Sequence, residues 1–298
     1  MLAQAAASGD LHQLRRGWYI GGDLWRKLWP EERHLAHVIA VAQDSDRPTP
    51  ASYTSAAVLH RLPLYRLMPR RVHLTMESPG RISSGVDVMR HIEPLPADDV
   101  TVVDGIRCTT LSRTVYDLMR MLPEEAAVSV ADAAERMTML RARDGDLNAR
   151  DAWRAEIAAR IRAGTGARGV RQARFVADFA DGRAQLPGES VSRLQLHRLG
   201  FAPPRLQVGI PGPGGRMYYV DFGMDDVNAL GEFDGESKYL DEALRQGRSI
   251  EEVVLEEKQR EDWIRGTTNR RLPRWGSTHI RTAGDLGRRL ASFGVTPP

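Results

Sequence analysis

The residues whose types and spacing could perform chemistry lie between 218 and 239, in the stretch YYVDFGMDDVNALGEFDGESKY. The alternation of apolar and polar side chains predicts two short strands joined by an acidic turn. Side chains two positions apart on a strand share a face, so we expect Glu232 and Asp234 to point the same way. A turn centred on 226–227 places Asp221 directly opposite Glu232. The stretch therefore predicts three neighbouring carboxylates.

This crowding of negative charge requires compensation. Like charges placed opposite each other in an antiparallel pair destabilise it by roughly 0.2–1 kcal/mol. A divalent cation is the simplest remedy, and Mg²⁺ prefers one or two carboxylates together with waters and phosphate oxygens. Lys238, four residues after Asp234, can add a compact positive charge. The ordinary alternative is a solvated acidic turn, which suits Asp225 and Asp226 better than acids within a strand.

Length and composition limit the class of protein. A chain of 298 residues is too long for one ordinary core and predicts two or three domains. The 42% of hydrophobic and 27% of charged residues are typical of a soluble globular protein. No secretory signal or apolar run of membrane-spanning length is visible. The single cysteine, Cys108, excludes an internal disulfide framework. We expect a cytoplasmic protein without membrane contact.

The charge distribution gives modest support for a nucleic-acid partner. The net charge is only +3, but the pI is 9.2 and arginine dominates the basic residues. Arginine suits bidentate phosphate contacts, although a weakly positive balance is common. Acidic residues concentrate in 221–262, whereas arginines cluster at 70–71, 270–271, 274 and 288–289.

The first elements predict a short helix followed by a hairpin, HQLRRGWYIGG, with Arg15 and Arg16 at its turn. This looks like a recognition helix that runs into the wing of a winged helix, where arginines commonly contact phosphates. An ordinary surface hairpin is an equal alternative. Only about ten residues precede the hairpin, so we expect a truncated or degenerate module. His34 and His37 on the next helix are interpreted as packed or solvated rather than metal-binding.

The remaining elements form the predicted scaffold. Ser112 is expected to cap a helix. Residues 142–170 lack apolar stretches of strand length, and the segment RAGTGARGVR at 162–171 is interpreted as a hinge or exposed crossover. From Pro187 a helix carries Glu189 in its first turn and ends at Gly200. The strand RLQVGI, the hairpin loop PGPGG, the acidic stretch, a charged helix and the closing strand RLPRWG follow.

This order of elements resembles the PD-(D/E)xK nuclease superfamily, in particular the branch related to very-short-patch repair endonucleases. The segments that carry the resemblance are GESVSRLQLHRLGF, VDF, EFDG, KY and EEKQRED with LPRWG. It implies a restriction-endonuclease-like α/β/α domain with a mixed central sheet over 181–298.

Residues 9–180 resemble the AbiEi-family antitoxin domains of type IV toxin–antitoxin systems. The segments LRRGWYI, TSAAVLHRLPL, VHLTM, DGIRCTTLSRTVYDL and ARGVRQAR carry this resemblance. It implies a partial winged-helix-like module at 1–45 and an α+β region with a helical connector at 46–180. The whole chain is therefore predicted to be an α+β multidomain protein, with a nucleotidyltransferase-like toxin as an implied partner.

The nuclease resemblance implies a role for each acid. Asp221 and Glu232 would bind Mg²⁺ or Mn²⁺, and Glu189 would be a metal or water contact from the first helix. Asp234 stands where many members have the lysine of the motif, which is a departure that puts the usual activation of water in doubt. Lys238 is the candidate substitute.

Two functions follow. The leading hypothesis is a metal-dependent endodeoxyribonuclease in which Lys238 orients the attacking hydroxide and Arg274, Arg15 and Arg16 hold the DNA backbone. The alternative is a type IV antitoxin or transcriptional autorepressor that binds its promoter while the nuclease-like domain stays silent. The enzyme requires its acids to converge without being locked by arginines. The oligomeric state is left open.

Overall fold

The computed structural model describes residues 2–44, 49–77, 85–141, 148–235 and 250–298. The chain divides into two compact units, Met1–Gly182 and Arg183–Pro298. The predicted boundary at 180/181 lies two residues from this division, whereas the further division at 45/46 stays a prediction. None of the helices in the described ranges combines the length and the apolar character needed to cross a lipid bilayer.

The first unit begins with a helix, a two-stranded antiparallel hairpin and further helices. Arg16 and Gly17 form the turn of the hairpin, and Gly17 has a φ of 85°, which favours glycine. The predicted order of helix and hairpin is therefore confirmed, although a winged helix as such is not. The elements are α1 (Leu2–Ser8), β1 (Leu11–Arg15), β2 (Trp18–Gly21), α2 (Gly22–Lys27), α3 (Pro30–Gln43) and α4 (Tyr53–Leu59).

Two pairs of short strands and four helices follow in the described part of this unit. Strands β3 (Val72–Met76) and β4 (Val88–Ile92) are parallel, and β5 (Val100–Val103) pairs antiparallel with β6 (Ile106–Thr109). The predicted Asp-Gly turn joins the second pair, with Asp104 and Gly105 both at positive φ. The helices are α5 (Leu111–Met121), α6 (Glu124–Arg141), α7 (Ala149–Ala163) and α8 (Val170–Phe179).

One prediction about these helices is wrong. Thr110, not Ser112, caps α5, because its side chain accepts from the backbone N–H of Arg113 while Ser112 lies inside the helix. The predicted crossover at 162–171 is confirmed, because residues 164–169 form the turn that follows helix α7. The buried side chains of α7, Trp153, Ile157 and Ile161, recur every four residues among arginines, and this spacing gives the helix an apolar stripe.

The second unit contains a mixed four-stranded sheet. The strand order is β10-β9-β8-β7, in which β10 runs parallel to β9 and the other pairs are antiparallel. The elements are α9 (Pro187–Leu199), β7 (Arg205–Pro211), β8 (Met217–Met224), β9 (Ala229–Asp234), α10 (Ile250–Thr268), β10 (Arg274–Gly276) and α11 (Ala283–Ala291).

Close packing fixes the start of α9 against the sheet. A Cβ atom at Gly188 would lie 2.1 Å from the ring of Phe233 on β9, so only glycine allows this approach. Farther along, Trp275 stacks on Phe222 with ring centroids 5.3 Å apart and donates its indole N–H to Ser192 on α9. This packing places the first turn of α9, and with it Glu189, close to the acidic strands.

Candidate functional site

Four of the five predicted catalytic residues lie in the described part of the second unit. Glu189 in α9 and Glu232 in β9 are 3% and 6% exposed. Asp221 lies in β8, and Asp234 ends β9. The fifth residue, Lys238, lies outside the described residues.

The hairpin has the predicted register. Met224 pairs with Ala229, Gly223 with Leu230, and one further pair continues the ladder. The next step along both strands brings Asp221 opposite Glu232. Although the backbones are paired as expected, the side chains of these two acids make different contacts, so the site has two parts.

The first part is a carboxylate pair, Glu189 and Asp221, bridged by Gln207. The amide Nε2 of Gln207 donates to Glu189 Oε2 at 3.3 Å and to Asp221 Oδ1 at 3.4 Å. Backbone N–H groups hold the two acids in place: Gln185 donates to Glu189 at 2.8 Å, and Phe233 donates to Asp221 at 2.8 Å. A carboxylate from a helix and a carboxylate from a strand therefore accept hydrogen bonds from the same nitrogen atom, Gln207 Nε2.

Gln207 reaches this position from an unusual backbone. Its φ is 52°, in the left-handed region that a non-glycine residue seldom adopts, and the strand pairs Leu206–Phe222 and Val208–Val220 flank it. Such strain persists only where the surroundings impose it, and it clusters at functional sites. The alternation in RLQVGI predicts an ordinary strand, so the sequence carries no signal for this residue.

The second part is an ionic cluster, which we define as Glu232, Asp234, Glu257, Arg260 and Arg274. Arg260 Nη2 lies 2.5 Å from Glu232 Oε1, and Arg274 Nε lies 3.6 Å from Glu232 Oε2. Arg274 also makes two parallel contacts with Asp234, at 2.6 Å from Nη2 and 3.1 Å from Nε. Burial raises the pKa of Glu232 above its usual range, against the opposing hydrogen bond from Arg260.

Glu257 is a member of the ionic cluster that the sequence analysis does not single out. It accepts from Arg260 Nη1 at 3.1 Å and from Arg274 Nη1 at 2.8 Å. Glu257 and Arg260 are three residues apart and therefore share a face of α10, which was the available signal. The DNA contact of Arg274 stays a prediction, and in this arrangement four acids lie 2.6–3.9 Å from its guanidinium nitrogens.

The expected convergence of three carboxylates is not found. No three His, Cys, Asp or Glu side chains within the described ranges form a group that could hold a metal ion. Glu232 is drawn to the arginines of α10 and β10, whereas Glu189 and Asp221 stay together. A pair of carboxylates still suits Mg²⁺, which takes its remaining ligands from water and phosphate. The two carboxylates of Glu189 and Asp221 therefore suit Mg²⁺ as protein ligands, although the expected third carboxylate is absent from the pair.

The arginines of the N-terminal hairpin differ from each other. Arg15 forms ion pairs with Asp44 at 3.3 Å and Asp87 at 3.6 Å, so its charge is balanced within the unit. Arg16, at the turn, is exposed. Of the two hairpin arginines predicted to contact nucleic acid, only Arg16 combines charge with an exposed position at the tip.

The interpretation of the two histidines as packed residues is confirmed. His34 is buried and lies 3.0 Å from the hydroxyl of Ser55, and burial lowers its pKa to about 4. The ring of His37 packs edge-on against Trp25.

The second unit thus presents a mixed sheet with a carboxylate pair, of which Glu189 is buried, and an ionic cluster of three acids and two arginines. No protein-family profile and no solved structure match the chain. Two proteins of Mycobacterium tuberculosis do, each 37% identical over 112 residues. They are "Uncharacterized protein MT2308" of strain CDC 1551 / Oshkosh and "Uncharacterized protein Rv2248" of strain ATCC 25618 / H37Rv. The match covers 38% of this chain and 41% of each relative, so the chain spans about two fifths of their length.

Proposed function

We propose that the second unit is a restriction-endonuclease-like domain that hydrolyses phosphodiester bonds of DNA with Mg²⁺ or Mn²⁺. The observation that carries the proposal is the convergence of Glu189 and Asp221 on the amide nitrogen of Gln207. The element order supports it: a helix, three antiparallel strands, a helix and a parallel closing strand follow one another as the nuclease resemblance implies.

The carboxylate pair would hold the cation, which would supply an activated water and neutralise charge on the phosphate. The chain's own residues prepare this position. Backbone N–H groups of Gln185 and Phe233 orient Glu189 and Asp221, and neutral Gln207 adds no charge to the site. Because Glu189 is buried, its carboxylate is held in one geometry, which lowers the cost of ordering it when a ligand binds.

The ionic cluster would supply the positive charge beside the phosphate. Arg260 and Arg274 are placed by their acids before any substrate arrives, and a guanidinium suits bidentate contact with phosphate oxygens. A phosphate must displace a carboxylate to gain such a contact. Glu232 is the acid that a phosphate displaces at the least free-energy cost, since burial already disfavours the charged form of Glu232.

A plasmid-nicking assay with Mg²⁺ or Mn²⁺ tests the proposal. The wild-type chain should nick supercoiled DNA, and both Asp221→Asn and Glu189→Gln should reduce nicking to background. Glu251→Gln is the matched control, because this acid is exposed in the first turn of α10 and belongs to neither part of the site. Equal nicking by the wild type and by both site variants rejects the proposal.

A specific observation favours a second candidate, a type IV antitoxin or transcriptional autorepressor with a silent nuclease-like domain. Arginines engage Glu232 and Asp234, as they would if these acids only stabilised the fold. Binding of upstream DNA in a gel-shift assay, weakened by Arg16→Ala and unaccompanied by metal-dependent cleavage, would establish this candidate. Nicking that depends on Asp221 would exclude it.

A further inference from the structure

A cavity in the first unit is separate from the candidate site. Its volume is about 350 Å³, and ligand sites for small molecules commonly occupy about 300–1,000 Å³. The lining side chains combine aromatic, acidic and basic groups; they are Tyr53, His91, Asp117, Arg120, Met121 and Arg168.

Asp117 contributes an acceptor that lacks a donor. The side chain is 1% exposed, and its Oδ2 accepts from Arg113 Nε at 2.8 Å. Its Oδ1 is buried and has no hydrogen-bond partner among the described residues. Arg120 Nη1 lies 3.8 Å from this oxygen, which is beyond hydrogen-bond distance. Burial raises the pKa of Asp117 to about 6. The carboxylate therefore calls for an N–H donor that the described chain does not supply.

The two arginines contribute donors that lack an acceptor. Arg120 Nε donates to the carbonyl of Arg168 at 3.0 Å, and the guanidinium lies over the ring of Tyr116. Within the described ranges neither Nη atom of Arg120 donates a hydrogen bond, and neither does the exposed side chain of Arg168. Two guanidinium groups at one cavity favour an anionic acceptor.

The aromatic wall is held rigidly. Tyr53 has a φ of 49°, which is strained for an aromatic residue, and its hydroxyl donates to Glu93 at 2.6 Å. Its ring packs on that of His91 with centroids 4.1 Å apart. Strained residues that the surroundings hold in place cluster at ligand sites.

We propose that this cavity binds a small zwitterion of the α-amino acid class. The ligand's ammonium group donates to Asp117 Oδ1, and its carboxylate is held by Arg120 and Arg168. A simple anion would leave Asp117 unsatisfied, and a simple amine would leave the arginines unsatisfied. The short separation of Asp117 from Arg120 suits a ligand whose opposite charges are adjacent. This site does not depend on the proposed nuclease function.

Thermal unfolding of the full chain in the presence of each protein amino acid tests the proposal. A ligand that binds only the folded state raises Tm, and the stabilisation grows with the logarithm of 1 + [L]/Kd. At least one amino acid should raise Tm, whereas its deaminated carboxylate and its decarboxylated amine should not. The absence of any shift overturns the proposal. A carboxylate that acts as strongly as the complete amino acid also overturns it, because Asp117 is then not used.

Arg168→Ala is the deciding variant, because the side chain is exposed and its loss leaves the core intact. It should weaken binding about tenfold or more, as expected for a lost charge-assisted hydrogen bond. Arg171→Ala, an exposed change nearby on α8, is the matched control and should bind like the wild type. Equal affinities of the two variants contradict the assignment.

Discussion

The carboxylate pair and the ionic cluster both contain acids from neighbouring strands, yet these acids contact different kinds of side chain among the described residues. A neutral amide bridges Glu189 and Asp221, whereas two arginines bind Glu232, Asp234 and Glu257. The difference arises from α10 and β10, which bring Arg260 and Arg274 to β9. In this unit the arginines of α10 and β10, rather than the strand register, decide which side chains the acids of β9 contact.

The largest expected effect is a difference in nicking activity between two variants, one with an acid of the carboxylate pair replaced and one with an acid of the ionic cluster replaced. Asp221→Asn should reduce metal-dependent nicking to background, because it removes half of the proposed cation site. Glu257→Gln should retain most of the activity, since among the described residues the ion-pair partners of Glu257 are Arg260 and Arg274. Steady-state nicking rates of the two variants measure this contrast. A greater loss of nicking activity in Glu257→Gln than in Asp221→Asn would indicate that the ionic cluster, not the carboxylate pair, performs the chemistry.

The next effect concerns stability. Arg274→Met should destabilise the second unit, because it leaves Asp234 and the buried Glu232 with less compensation. We expect the free energy of unfolding to fall by about 2–3 kcal/mol. This loss is somewhat below the roughly 3–5 kcal/mol for breaking a fully buried ion pair, since Arg274 is partly exposed. Urea unfolding followed by tryptophan fluorescence gives the value. A change under about 0.5 kcal/mol, as for an ordinary surface substitution, would show that the ion pairs add little.

A smaller effect should follow from moving the helix that carries Glu189. In Gly188→Ala the new methyl group meets the ring of Phe233, and overpacking of this kind costs about 1–3 kcal/mol. Nicking should fall as well, because Glu189 shifts with the helix. Gly266→Ala is the matched control: nothing lies within 4 Å of a Cβ at this position, and the change should stabilise α10 by up to about 1 kcal/mol. Unfolding free energies and nicking rates of both variants provide the comparison.

The smallest effect is a difference in pH dependence. The pKa of Glu232 is raised in the folded protein, so between its ordinary value of 4.5 and its folded value the native state binds more protons than the unfolded chain. The stability contribution of Glu232 is therefore greatest below pH 4.5 and falls as pH rises above it. Glu232→Gln should lose less stability than the wild type over this interval. Parallel stability curves from urea unfolding would contradict the raised pKa.

The local features of the fold could be predicted from the sequence. Short-range turn chemistry determines the register of β8 and β9, the Asp104–Gly105 turn and the end of α9 at Gly200. The bridge by Gln207 could not be predicted, because the alternation of its strand gives no sign of a left-handed backbone.

The long-range contacts of the site could not be predicted either. Arg274 is 40 residues from Asp234 along the chain, and Arg260 is 28 residues from Glu232. Their pairing depends on how α10 and β10 pack, which the pattern of a single stretch does not encode. The sequence of an acidic strand therefore predicts where a site lies better than it predicts which side chains bind the ligand.

Titration of the full chain with Mn²⁺, followed by electron paramagnetic resonance, tests most directly whether Glu189 and Asp221 form a cation site. The account predicts that the wild type and Glu257→Gln bind the ion and that the double variant Glu189→Gln, Asp221→Asn does not. Absence of binding by the wild type, or equal binding by the double variant, would contradict it.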